Sequence, residues 1–216
     1  MKTKTLLLAV AVAATGAVSG VAQTVYSVNA VGFVNVVIPA GPNSFSILAN
    51  PLDAADNSVA ALFPNNTVAP IGCAIYKFAG GVFGPANNRL FSGWSRPTET
   101  LVPGEGFFFK NSSASAITNT FVGEVKQGTL TTPLTGGFQL IASQVPQSGL
   151  LNTDLGLPIS ATETVYRFQS GAYVTHNKLF SGWSATGEPN VQVGEGFFVK
   201  KLANPSNWVR TFSVNQ

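Results

Sequence analysis

The chain has 216 residues, with 12 Lys and Arg against nine Asp and Glu, and charged residues make up only 10% of it. So small a balance, with Lys200-Lys201 as the one adjacent basic pair, argues against a nucleic-acid partner, because phosphate binding needs clustered Lys and Arg. A single cysteine, Cys73, excludes an intrachain disulfide, and with a single histidine, His176, it leaves too few ligands for a structural zinc site.

At the N-terminus Lys2 and Lys4 form a short basic head before the apolar run Leu6 to Val12. Small residues lead to Gly20-Val21-Ala22, which fits a cleavage site before Gln23. Residues 1–22 are therefore expected to be a Sec-type signal peptide. The mature chain is expected in the periplasm, on the outer surface or outside the cell. Removing Lys2 and Lys4 leaves ten basic residues against nine acidic ones, a net charge of +1. No later stretch approaches the roughly 20 apolar residues needed to span a bilayer.

Beyond the leader, the sequence repeats itself. Phe45-Ser46-Ile47-Leu48-Ala49 corresponds to Phe138-Gln139-Leu140-Ile141-Ala142, and Ile75-Tyr76-Lys77-Phe78 to Val165-Tyr166-Arg167-Phe168. Leu90-Phe91-Ser92-Gly93-Trp94-Ser95 recurs at Leu179 to Ser184, and Gly104-Glu105-Gly106-Phe107-Phe108 at Gly194 to Phe198. Four blocks in one order, about 90 residues apart, read as an internal duplication. The spacing predicts two β modules, 23–125 and 126–216.

Each copy opens on an apolar strand, followed by a helical turn over Val59 to Phe63, for which Asp56 or Asn57 stands as the cap and Pro64 as the stop. The second copy is weaker there, with Gly156 inside the turn. A hairpin follows, turning at Gly80-Gly81 or at Ser170-Gly171. Tyr76 and Phe78 share one face while Lys77 and Arg167 point to the other. The strand after the Gly-Glu-Gly turn is apolar on both faces, as a central strand should be. Closing strands are expected at Asn119 to Val125 and Thr211 to Asn215. The stretch Phe121 to Val125 also fits the opening of the second copy, so a single fused sheet system is the alternative to separate cores. Phe212-Ser213-Val214-Asn215 echoes Tyr26-Ser27-Val28-Asn29: either similar strands begin and end the repeat, or one chain's terminus completes its neighbour.

The order Phe45 to Leu52, aromatic hairpin, Gly93-Trp94-Ser95 and Pro103-Gly104-Glu105-Gly106-Phe107-Phe108 resembles exported two-copy β-repeat proteins of environmental Gram-negative bacteria. It is similar, more loosely, to secreted bacterial modules with Gly-Trp-x-Leu-Ile-x-Asn-Pro and Pro-Gly-x-Gly-Phe patterns. The resemblance implies secretion and a β architecture, and it carries no established activity. The second copy departs from it at Ser143-Gln144 and Val193.

Chemistry-bearing groups are few. His176 reads as an exposed loop residue and Cys73, in an apolar stretch, as buried packing. Phe91-Ser92-Gly93-Trp94-Ser95 is not a nucleophile elbow, and Gly104-Glu105-Gly106 lacks the later glycine and βαβ setting of a dinucleotide loop. No cofactor is implied. Glu105 and Glu195 are read as structural, paired with Arg89 and Lys178 at equivalent positions; the alternative is an acid–base pair across the repeat axis. Trp94 and Trp183 are expected as matched core positions. Trp208 is not duplicated and is the candidate exposed, ligand-binding ring.

The expectation is an all-β protein of two tandem sandwich- or barrel-like modules. Its function is expected to be non-catalytic, in the envelope or outside the cell, acting by surface interaction or assembly with itself or other envelope proteins. A carbohydrate-binding module is the alternative, and a carboxylate-dependent hydrolase the more distant one.

Overall fold

A computed structural model describes residues 30–41, 44–202 and 205–214. The expected signal peptide over residues 1–22, the Tyr26-Ser27-Val28-Asn29 segment and Asn215 lie outside the described residues. The protein is all-β. Strands β1 (Val31–Ile38) and β2 (Ser44–Ala49) precede a single helical turn, α1 (Val59–Leu62). Then come β3 (Ala74–Ala79), β4 (Val82–Phe83), β5 (Asn87–Leu90), β6 (Gly93–Trp94), β7 (Gly106–Asn111) and β8 (Ile117–Glu124). The later part holds β9 (Gly128–Leu134), β10 (Gly137–Ile141), β11 (Gly149–Leu150), β12 (Thr164–Gln169) and β13 (Ala172–Leu179). It ends with β14 (Gly182–Trp183), β15 (Asn190–Val191), β16 (Phe197–Lys201) and β17 (Ser206–Phe212).

Pairing is antiparallel throughout. One sheet runs β2-β7-β3-β5-β6, with β4 beside β3, and the other runs β10-β16-β12-β13-β14. The orders correspond strand for strand, except that β13 is continuous where β4 and β5 are separate. Pro85 lies between β4 and β5; with no N–H to give, it interrupts the ladder. Each sheet is accompanied by a two-stranded ribbon, β1 with β8 and β17 with β9. β8 ends at Glu124, pairs with β1 and bridges Asp53, all within the first half, so Phe121 to Val125 does not also open the second half. The last strand also comes earlier than expected, at Ser206 to Phe212 rather than Thr211 to Asn215.

The N-cap of α1 is Ser58, whose hydroxyl accepts from the Ala61 amide at 3.2 Å. Asp56 instead accepts from the Ser58 amide and Asn57 accepts from Ala54, each tying the approach to the helix. In the second half, turns replace the helix, consistent with Gly156 at φ +66°.

Alternation along β7 and β16 divides the apolar residues among three clusters. Phe107 and Phe109 enter the first half's core with Phe63, Ile75, Trp94 and Phe121. Phe197 and Val199 enter the second, with Leu134, Leu151, Val165 and Trp208. Phe108 and Phe198 face the other way and meet in a third cluster with Ile47 and Leu140, flanked by Tyr76, Phe78, Tyr166 and Phe168. Strands apolar on both faces thus bury one face in their own half and the other between halves. Each buried Phe contributes about 1.5–3 kcal/mol from area alone.

Candidate functional site: a reciprocal seam and two exposed tips

The contacts between the halves come in matched pairs. Leu48 bridges Glu195, and Ile141 bridges Glu105. The Ala49 amide donates to the Gly194 carbonyl at 2.8 Å, and the Ala142 amide to the Gly104 carbonyl at 3.0 Å. Each Gly-Glu-Gly turn therefore docks on the first sheet strand of the opposite half. Both turns close the same way, the Glu105 amide donating to Val102 and the Glu195 amide to Gln192. The rings repeat the exchange: Phe78 meets Phe198 edge-on at 5.0 Å and Phe108 meets Phe168 at 5.3 Å. Such pairs add about 0.5–1.5 kcal/mol beyond their burial.

The glycines of these turns are demanded by the close approach. A Cβ on Gly196 would lie 2.7 Å from the Ile47 side chain and 2.8 Å from the Leu48 carbonyl oxygen. Gly194, at φ +79°, holds a backbone shape that L side chains rarely adopt.

The glutamates pair within their own halves, but with different bases from those expected. Lys77 Nζ lies 2.7 Å from Glu105, and Arg167 grips Glu195 through Nε and Nη2, both at 2.8 Å. Glu195 also accepts the Gln192 amide at 2.9 Å. Arg89 and Lys178 do not reach them. Arg89 stacks 5.8 Å over the Trp94 ring and Lys178 4.9 Å over Trp183. The signal for the true partners was present in the two-residue period, which turns Lys77 and Arg167 away from Tyr76 and Phe78.

A cavity of about 870 Å³ opens at the seam, lined by Asn35, Phe45, Ser46, Arg167, Phe168 and Glu195 among others. Glu105 is not among its lining residues, so the two glutamates do not converge on that cleft. A second hollow, about 390 Å³, is lined by Phe78, Gly81, Phe138, Tyr166, Tyr173 and Phe198, together with Thr175. Both oxygens of Glu195 are engaged, Oε1 by Arg167 Nε and Oε2 by Arg167 Nη2 and the Gln192 amide, which ties the turn to β12.

Trp208 is 2% exposed, and its Nε1 donates to the Leu155 carbonyl at 2.7 Å. The expected exposed ring is a core residue, because β17 turns Trp208 inward onto Phe197. Trp94 is buried, with Nε1 donating to Phe63 at 2.9 Å, whereas Trp183 is half-buried. His176 is not in an exposed loop: it lies in β13, buried, with Nδ1 2.9 Å from the Gly187 carbonyl. Cys73 is fully buried beside the Ser112 hydroxyl. Its counterpart in the second half, Glu163, forms a buried pair with Lys201 at 2.6 Å.

The residues that sequence reasoning missed are Phe91 and Phe180, 95% and 92% exposed at the tips of the β5–β6 and β13–β14 hairpins. The signal was their position. Leu90 pairs with Gly93 and Leu179 with Gly182, so each Phe is the first residue of a two-residue turn, where no core is within reach.

No protein-family model matches the chain, and no curated protein or solved structure matches it either. No helix among the described residues is long and apolar enough to cross a membrane.

Proposed function

We propose that this chain is an exported, non-catalytic protein of the cell envelope or exterior, built by internal duplication and acting through surface interaction or assembly. On this reading residues 1–22 are its signal peptide, and 23–125 and 126–216 are its two copies. One contrast supports it above all. The repeated groups with chemical potential, Glu105 and Glu195, are spent on ion pairs inside the seam. Among the described residues, the two most exposed large apolar side chains are also a repeated pair, Phe91 and Phe180, each beside a half-exposed leucine, Leu90 or Leu179. An apolar tip without a titratable group serves binding rather than bond-making.

The test is light scattering of the exported form over a range of concentrations, combined with binding to isolated bacterial envelopes. The reading predicts growth in mass, envelope binding, or both. A strict monomer that stays in solution beside the envelopes would contradict it.

A glycan-binding role is the second reading, and the aromatic hollow around Tyr166 and Tyr173 is what favours it, since sugars stack on open rings. Tyr173→Ala should then remove binding on a glycan array; an array on which the unaltered protein binds nothing rules this reading out.

A further inference from the structure

The two hairpin tips are chemically alike and take no part in the seam. Each presents Leu-Phe-Ser-Gly at a turn, with the Phe ring almost wholly in water and the neighbouring Leu 48% or 45% exposed. No acidic residue occurs from Asn88 to Arg96 or from Asn177 to Gly187. Directly behind each tip stands a cation, Arg89 or Lys178, steadied over the Trp94 or Trp183 ring. Ser92 and Ser181 are the only polar side chains at the turns themselves.

From this arrangement we infer that Phe91 and Phe180, with Leu90 and Leu179, insert into the interfacial zone of an anionic lipid surface, while Arg89 and Lys178 reach the headgroup phosphates. The shape favours a fluid apolar phase: a protruding ring needs no matched hole there. A sugar, by contrast, would call for several hydrogen-bonding side chains, and each turn carries a single serine. The charge supports the same partner, because a basic shaft behind an apolar point is complementary to negative headgroups over an acyl layer. With a net charge of only +1 in the exported form, long-range attraction is weak and the apolar tips must supply most of the affinity.

The inference rests on the surface-interaction reading and gives it a partner. It is tested by sedimenting the exported form, beginning at Gln23, with vesicles of phosphatidylcholine and phosphatidylglycerol. The protein is expected to pellet with the vesicles, and added salt should weaken this without abolishing it. Phe91→Ala or Phe180→Ala should each weaken binding about tenfold, and the double variant should remain in the supernatant. The thermal midpoints of these variants should equal that of the parent, which separates lost binding from lost folding. A parent protein that never pellets, or a double variant that pellets as the parent does, overturns the inference. Binding to whole envelopes but not to lipid vesicles overturns it while leaving the surface-interaction reading standing.

Discussion

Trp94 and Trp208 meet one requirement from different strands. Each sends its indole N–H to the carbonyl that closes the segment after the first sheet strand, Phe63 in one half and Leu155 in the other. Trp94 comes from β6 and Trp208 from β17, so the need is shared although the residue position is not. Trp208→Ala should therefore cost about 3–5 kcal/mol in urea unfolding, the range for emptying a buried aromatic site. Phe91→Ala should stay within about 0.5 kcal/mol of the parent. The burial of Trp208 was illegible in the sequence, since a lone tryptophan between Asn207 and Val209 has no repeat to place it.

Glu163 makes a second prediction at this scale. Burial alone would raise its pKa, but the Lys201 ammonium and the amides of Ser160 and Leu202 outweigh it and hold the carboxyl below its ordinary value of 4.5. In acid the unfolded chain then binds a proton that the folded chain resists. The stabilisation is complete above the ordinary value and is lost as pH falls through the lower folded one. Glu163→Gln should cost about 3 kcal/mol near neutrality, because Lys201 is left buried without its counter-ion. The variant's thermal midpoint should also fall less steeply between neutral and acid pH; an unchanged slope would contradict the assignment.

Among the elements, the Gly-Glu-Gly turns matter most. The repetition of the motif was legible, and so was the two-sided burial of the strands that follow it. That the turns dock on the opposite half was not legible. A bridge such as Leu48 to Glu195 joins residues with no pattern relating them in sequence. Equivalent position in the two copies does not set which way a side chain faces: Arg89 and Lys178 match each other but sit beyond reach of the glutamates, which Lys77 and Arg167 face. Gly196→Ala tests the docking. Its methyl would meet the Leu48 carbonyl, which is backbone and cannot swing aside. A loss of about 2–3 kcal/mol in urea unfolding is expected, and a neutral effect would place the turn elsewhere.

At the level of the whole molecule, the two halves present the same strand order and exchange matched turn-to-strand contacts, yet they are not identical. Phe83 reaches across to Phe198, and the Gly196 amide donates to Ile47, each without a counterpart among the described residues. The first half has α1 where the second has turns, while the Ser58–Thr100 bridge of the first answers to the β11–β15 pair of the second. Cys73 and Asn111 in one half stand where Glu163 and Lys201 stand in the other. The all-β character was legible from alternation and turn residues. The third cluster was hidden, because Phe108 and Phe198 look alike whether they face solvent, their own core or each other. It makes the halves cooperative: Ile47, Phe108, Leu140 and Phe198 lose their burial if the halves part.

The seam is probed most directly by hydrogen exchange at two amides, Ala49 and Ala142, which donate across it to Gly194 and Gly104. Locked halves predict that both exchange slowly, at matching rates, and only through global unfolding. Fast exchange at either amide, while its neighbours in β2 or β10 stay protected, would mean that the halves do not hold one another.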